Sequence, residues 1–75
     1  MSLLDVPAPM RGSVLEVLVN VGEDVTEGAE LLVVESMKME IPVESPGAGQ
    51  VAEILVNPGD KVEEGDLLLR LNRGA

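Results

Sequence analysis

Near the middle of the 75-residue chain lies the stretch LLVVESMKMEIPV, residues 31–43. Two apolar runs, 31–34 and 41–43, flank a polar segment centred on Lys38. Short apolar runs separated by a few polar residues are typical of two β-strands joined by a tight turn. The stretch therefore predicts a β-hairpin whose turn presents the amine of Lys38 to another protein, which would modify it.

The sequence on the two sides of this turn is duplicated. When the chain is shifted by 37 positions, residues 12–35 align without a gap with residues 49–72, and 12 of the 24 aligned positions are identical. The first-copy members of the identical pairs are Gly12, Val14, Glu16, Leu18, Val19, Asn20, Gly22, Val25, Glu27, Gly28, Leu31 and Leu32. Such a repeat indicates two halves of one core related by a pseudo-twofold axis.

The composition and turn signals favour an all-β domain. Val is common, Gly and Pro interrupt the apolar runs every few residues, and no long stretch has a period of 3.6. We predict one domain over residues 1–75, with repeat halves at about 6–35 and 43–72. Two small antiparallel sheets would face each other or wrap into a flattened barrel.

Local signals refine this picture. Two prolines in residues 5–11 predict an extended segment at a sheet edge, since proline cannot donate a ladder hydrogen bond. Gly12 is interpreted as a turn or bulge residue. The apolar spacing after Val14 and after Val51 breaks the period of two, which predicts a bulge or a strong local twist in each repeat. The segment 57–60, Asn-Pro-Gly-Asp, is typical of a type II turn.

The composition excludes several classes of function. The chain has no Cys and no His, which removes disulfides, thiolate ligands and the commonest general base. A formal net charge of −9 without a basic cluster argues against nucleic acid and anionic membranes as partners. No apolar run approaches the ~18 residues of a membrane span. Because the start of the chain also lacks a basic, apolar leader, we expect a cytoplasmic protein.

Lys38 is interpreted as a substrate of another enzyme rather than as a catalyst. A nucleophilic lysine needs a desolvating pocket or a cationic neighbour, and the nearest charged residues here are Glu35 and Glu40. Met37 and Met39 would form an adaptable apolar contact surface for the modifying enzyme. The alternative is that both methionines cap the domain and Lys38 is an ordinary solvated turn residue.

Acidic residues in matching turns of the two repeats are interpreted as a solvated face. They are Glu23, Asp24, Glu27 and Glu30 in the first copy, and Asp60, Glu63, Glu64 and Asp66 in the second. Their spacing lacks the alternation of a calcium-binding loop. We predict no metal site.

At this point the residues match a family. The stretch 35–40, Glu-Ser-Met-Lys-Met-Glu, resembles the attachment motif of biotinyl domains, the biotin carboxyl carrier modules of biotin-dependent carboxylases and decarboxylases. The segment 8–12 resembles the Pro/Gly-rich entry of that family, and the Gly-Val-Gly patterns of the two repeats are similar to its two halves. Many members have Ala where Ser36 stands, a small change in a turn.

The resemblance implies a fold, a cofactor and partners. The fold would be a flattened β-barrel of two four-stranded antiparallel sheets with pseudo-twofold symmetry. Biotin would be joined to Lys38 by a biotin protein ligase, with Glu35, Ser36, Met37 and Met39 around it. Biotin would then carry carboxyl groups from a biotin carboxylase to a carboxyltransferase, and the domain itself would catalyse nothing.

Three alternatives to a dedicated biotin carrier remain open. A lipoyl domain shares the fold and the lysine turn, although its usual motif is Asp-Lys-Ala. A domain accepting both biotin and lipoate is the second alternative. The third is a β-module that acts as an adaptor and whose Lys38 is never modified. The chain would be either a free-standing carrier or one domain of a larger polypeptide.

Overall fold

A computed structural model describes residues 2–73, which form eight strands and no helix. The strands are β1 (Leu3–Pro7), β2 (Gly12–Val17), β3 (Asp24–Val25), β4 (Glu30–Ser36), β5 (Met39–Glu44), β6 (Gly49–Ile54), β7 (Lys61–Val62) and β8 (Leu67–Asn72). Every strand pairing is antiparallel. Within these residues there is no helix long and apolar enough to cross a membrane.

The strands form two four-stranded sheets, ordered β1-β8-β6-β3 and β5-β4-β2-β7. A shift of 37 positions places β1, β2, β3 and β4 on β5, β6, β7 and β8. The same shift converts the strand order of one sheet into that of the other. The predicted all-β fold, with two four-stranded antiparallel sheets and an internal pseudo-twofold repeat, is confirmed.

The two sheets do not close into a barrel. Among residues 2–73, no strand of one sheet is hydrogen-bonded in a ladder to a strand of the other. The four edge strands explain this. Pro7 in β1 and Pro42 in β5 remove ladder donors, and β3 and β7 have two residues each. The molecule is therefore a sandwich. The predicted edge position of the segment 5–11 is confirmed for residues 5–7, which lie in edge strand β1, whereas residues 8–11 lie outside any strand.

The core between the sheets is aliphatic and follows the repeat. Its most buried side chains are Leu31, Leu32, Leu68, Leu69, Leu71, Val14, Val34 and Val51. Leu31 and Leu32 of β4 are equivalent to Leu68 and Leu69 of β8, and all four are fully buried. Each repeat thus supplies half of a core that neither could complete alone.

The predicted irregularities also follow the repeat. The register shifts between Val14 and Glu16 where β2 pairs with β4, and between Val51 and Glu53 where β6 pairs with β8. The predicted bulge in each repeat is confirmed. At the type II turn, Gly59 has a φ of 95° and the Asp60 N–H donates to the Asn57 carbonyl at 3.0 Å, as predicted.

Several of the acidic residues close turns. Glu23 Oε1 accepts the backbone N–H of Asn20 at 3.1 Å, and Asp60 Oδ2 accepts that of Asn57 at 2.8 Å. Asp66 Oδ2 accepts the N–H of Glu63 at 2.8 Å. These carboxylates satisfy turn donors that lack a ladder partner. Among residues 2–73, no group of three or more acidic side chains is arranged to hold a metal ion.

The beginning and end of the described chain lie side by side. Leu3 pairs with Asn72, and the Arg73 N–H donates to the Ser2 carbonyl at 3.0 Å. This junction of β1 with β8 is the pseudo-twofold equivalent of the junction of β4 with β5. At one of these two equivalent junctions the described residues begin and end, and at the other the hairpin carries Lys38.

Candidate modification site

A two-residue turn, the commonest connection in β-hairpins, joins β4 to β5. Ser36 pairs with Met39, so Met37 and Lys38 alone make the connection. Both have positive φ, 52° and 64°. Positive φ at both central residues is the signature of a type I′ turn, whose twist matches that of the flanking strands. The predicted tight turn at Lys38 is confirmed.

The turn is strained because Met37 and Lys38, which both have a Cβ, adopt positive φ. Type I′ turns usually contain Asn and Gly, because Gly has no Cβ to crowd the backbone at positive φ and the short polar side chain of Asn forms local hydrogen bonds there. Met37 and Lys38 are the only non-glycine residues of the described chain with positive φ. Each such residue costs on the order of 1 kcal/mol. Strain retained in this way is a reason to look for a function at the turn.

The side chains of the turn project into solvent. Met37 is 92% exposed and Met39 is 64% exposed, and Lys38 is also exposed. The alternative in which both methionines are partly packed caps on the domain is therefore wrong for Met37. No carboxylate of residues 2–73 lies within 4.0 Å of Lys38 Nζ, so the amine is free of ion pairs. The amine is thus accessible, with apolar side chains on either side of it in the sequence.

The residues next to the turn lie on two different faces of the sheet, because side chains alternate along a strand. Glu35 and Glu40 are directly opposite each other on the outer face of the sheet, both exposed. Ser36 and Met39 continue the inner face, the face of buried Val34. Like charges at directly opposed positions destabilise a strand pair. The hairpin therefore has two features, positive φ and paired carboxylates, that do not serve its stability.

The turn end of the hairpin lies against Gly12, whose role the sequence did not reveal. Gly12 is the first residue of β2 and is neither a turn nor a bulge residue, so that interpretation was wrong. A Cβ built there would lie 2.5 Å from the Glu35 carbonyl oxygen and 2.8 Å from Val34 Cγ1. The absence of a side chain lets β2 approach the backbone of β4 just before the turn. A Gly within a strand pattern is a known signal of such close approach.

The chemistry available at the site is acceptance of a modification. The chain has no His, Cys or Tyr that could act as a base or a nucleophile beside Lys38. The residues predicted for the site, Glu35, Ser36, Met37, Lys38 and Met39, all belong to this one hairpin. Their arrangement suits an exposed lysine that enters the active site of another enzyme.

The strain at the turn predicts opposite effects of glycine at the two methionines. Met37→Gly relieves about 1 kcal/mol of strain but adds the backbone entropy cost of glycine, so we expect the free energy of unfolding to rise by only about 0.5 kcal/mol. Met39→Gly replaces a residue of extended backbone, and we expect a fall of roughly 0.5–1 kcal/mol. Urea unfolding followed by circular dichroism measures both. Equal changes in the two variants would contradict the assignment of strain to Met37.

Comparison with known proteins agrees with this geometry. A biotin/lipoyl family model, described as "Biotin-requiring enzyme", matches residues 4–71. The chain belongs to this family. The predicted resemblance to biotinyl domains is confirmed.

The curated relatives are carrier or biotinylated proteins by name. The biotin carboxyl carrier protein of Streptococcus mutans is 59% identical over 34 residues, which is 45% of this chain and 26% of that protein. A biotinylated protein, TB7.3, of Mycobacterium bovis is 54% identical over 39 residues, or 52% of this chain and 55% of that protein. The chain therefore matches only part of the length of these relatives.

Solved structures share the whole fold. A single-chain, multi-domain long-chain acyl-CoA carboxylase matches 96% of this chain with a TM-score of 0.90 and 38% sequence identity. The urea carboxylase of Kluyveromyces lactis matches 96% with a TM-score of 0.91 and 29% identity. The matches cover 7% and 6% of those long chains, so in both the similar part is one small domain.

Proposed function

We propose that this domain is a biotin carboxyl carrier module with biotin joined by an amide bond to Lys38. The observation that carries the proposal is the exposed lysine in a strained two-residue turn, between exposed methionines, in a chain of the biotin-requiring family. The names of the curated relatives and the carboxylase neighbours support it. In this proposal the domain is a non-catalytic part of a carboxylase or decarboxylase.

The residues of the turn fit an amide-linked group. The Lys38 amine is exposed, has no ion pair to break and stands beyond the last strand pair, Ser36 with Met39. A ligase that uses ATP would present the carboxyl group of biotin as an adenylate and accept a proton from Nζ. The nitrogen would then attack the carboxyl carbon, so that the amide C–N bond forms as the bond to the phosphate oxygen breaks and AMP leaves. No residue of this chain is needed as a base. What the chain supplies is a fixed backbone position for the lysine that carries the amine.

The role of the domain is to keep the cofactor close to two active sites. Biotin, when bound, supplies the chemistry of carrying a carboxyl group between a biotin carboxylase and a carboxyltransferase. Covalent attachment replaces diffusion by a high effective concentration. The two-residue turn adds little freedom of its own, because β4 and β5 are paired up to its ends. Movement is thus left to the lysine side chain and to whatever the domain is joined to.

Three partners are proposed: a biotin protein ligase, a biotin carboxylase and a carboxyltransferase. The carboxylase neighbours support the last two, and the exposed Met-Lys-Met turn supports a ligase. The net charge of −9 suits partners whose docking faces are basic.

A direct test combines the purified chain with a biotin protein ligase, biotin and ATP. We expect an intact mass increased by one biotinyl group, with peptide mapping placing it on Lys38 and not on Lys61, the other lysine. A parallel reaction with a lipoate ligase tests the lipoyl and dual alternatives. Lipoate without biotin would identify a lipoyl domain. Modification by neither ligase would identify an adaptor.

A further inference from the structure

The oxidisable side chains of this protein are concentrated at the turn. The chain has no Cys, His, Trp or Tyr, so its four methionines are its main targets for mild oxidants. Of the three in the described residues, Met37 is 92% exposed, Met39 is 64% exposed and Met10 is half-buried. Susceptibility of a thioether follows its exposure. An oxidant in solution therefore meets the two sulfur atoms next to Lys38 before it meets that of Met10.

We propose that Met37 and Met39 form a reversible oxidation site, and that their sulfoxides slow the modification of Lys38. This inference rests on the proposed function, because it concerns acceptance of biotin at the same turn. The oxidant is hydrogen peroxide or another hydroperoxide. A sulfoxide reductase reverses the reaction.

The reaction balances without help from other residues. The thioether sulfur attacks one oxygen of the peroxide, an S–O bond forms and the O–O bond breaks. Sulfur is oxidised by two electrons and peroxide is reduced. The proton of the transferred oxygen passes to the departing hydroxide, which leaves as water. The exposure of Met37 and Met39 leaves this approach open.

The consequence follows from where the two side chains lie. Oxidation turns a flexible apolar side chain into a polar one. Because Met37 and Met39 lie outside the core, the sulfoxides do not disturb the packing between the sheets. They change the surface that a ligase contacts on both sides of the lysine. The effect should therefore appear in recognition and not in stability.

The test treats the whole chain with hydrogen peroxide until Met37 and Met39 each carry one oxygen by peptide mapping, with Met10 largely unchanged. We expect biotin transfer by the ligase to fall by about tenfold, as loss of part of an apolar contact predicts. We expect unchanged circular dichroism and thermal unfolding. Treatment with methionine sulfoxide reductases should restore the original rate.

The matched control is Met37→Leu with Met39→Leu, which keeps size and apolarity and removes the thioethers. In this variant peroxide should leave the rate unchanged. A loss of rate there too, or equal rates for the oxidised and unoxidised natural chain, would overturn the oxidation site while the proposed function stands. If the unoxidised chain takes no biotin, both proposals are wrong.

Discussion

Replacement of Lys38 by Arg is expected to abolish biotin attachment, whereas replacement of Lys61 by Arg is expected to leave it unchanged. The chain contains only these two lysines, and both are exposed. Arginine keeps the positive charge, but its guanidinium is not deprotonated in proteins and forms no stable amide with the cofactor. Because both lysines are exposed, the two variants differ only in the structural setting of the lysine that is replaced.

That setting is what the pair of variants tests. Lys38 occupies the two-residue turn, whereas Lys61 lies in β7 and pairs with Ser13. Intact mass after reaction with a ligase gives the extent of labelling, and circular dichroism verifies that each variant is folded. Carboxyl transfer in a reconstituted carboxylase should fall to background with Lys38→Arg alone. An adduct that persists in Lys38→Arg, or that disappears in Lys61→Arg, would contradict the assignment of the site.

Replacement of Gly12 by Ala is expected to lower the free energy of unfolding by about 3 kcal/mol, the upper end of the effect of forcing extra atoms into a packed interior. Its Cβ would lie 2.5 Å from the Glu35 carbonyl oxygen, and real Cβ atoms essentially never come within 3.0 Å of a heavy atom outside their own and the two adjacent residues. The carbonyl belongs to β4 and cannot move without shifting that strand against β2. For a chain of this size the total stability is only about 4–11 kcal/mol.

Two other glycines provide the comparison. At Gly49, the repeat equivalent of Gly12, a Cβ would lie 2.9 Å from the Asn72 carbonyl oxygen, so we expect a smaller loss. At Gly47 the nearest atom, Leu4 Cδ2, is 3.7 Å away and φ is not positive, so Gly47→Ala should be close to neutral. The changes in the free energy of unfolding of all three variants are obtained from their urea midpoints when the slopes of the unfolding transitions are equal. If Gly12→Ala and Gly47→Ala had the same free energy of unfolding, the close approach of β2 to β4 at Gly12 would not contribute to stability.

Much of the fold was predictable because the sequence contains two similar repeats. The match of residues 12–35 with 49–72 indicated the pseudo-twofold axis, and the two sheets have equivalent strand orders. Broken alternation after Val14 and Val51 predicted the bulges, and Asn-Pro-Gly-Asp predicted its turn. These are local patterns, and local patterns can be read from a sequence because each depends on residues close together in the chain.

Other features depended on residues far apart in the chain. The role of Gly12 is set by Glu35 and Val34, more than 20 positions away, and nothing around Gly12 identifies these neighbours. The open sandwich follows from which strands form the edges. A closed barrel would need edge strands of the two sheets to pair with each other. Pro7 and Pro42 disfavour such pairing because proline has no backbone N–H to donate.

The sequence by itself determined the repeat, the all-β class and the Met-Lys-Met turn at the centre of the chain. Only the tertiary structure decided the faces of that hairpin: Glu35 opposite Glu40 on the outer face, Met37 and Met39 free of the core, and Lys38 without an ion pair. The physical reason is that strand register and sheet packing fix where a side chain points, and both arise from contacts between distant parts of the chain.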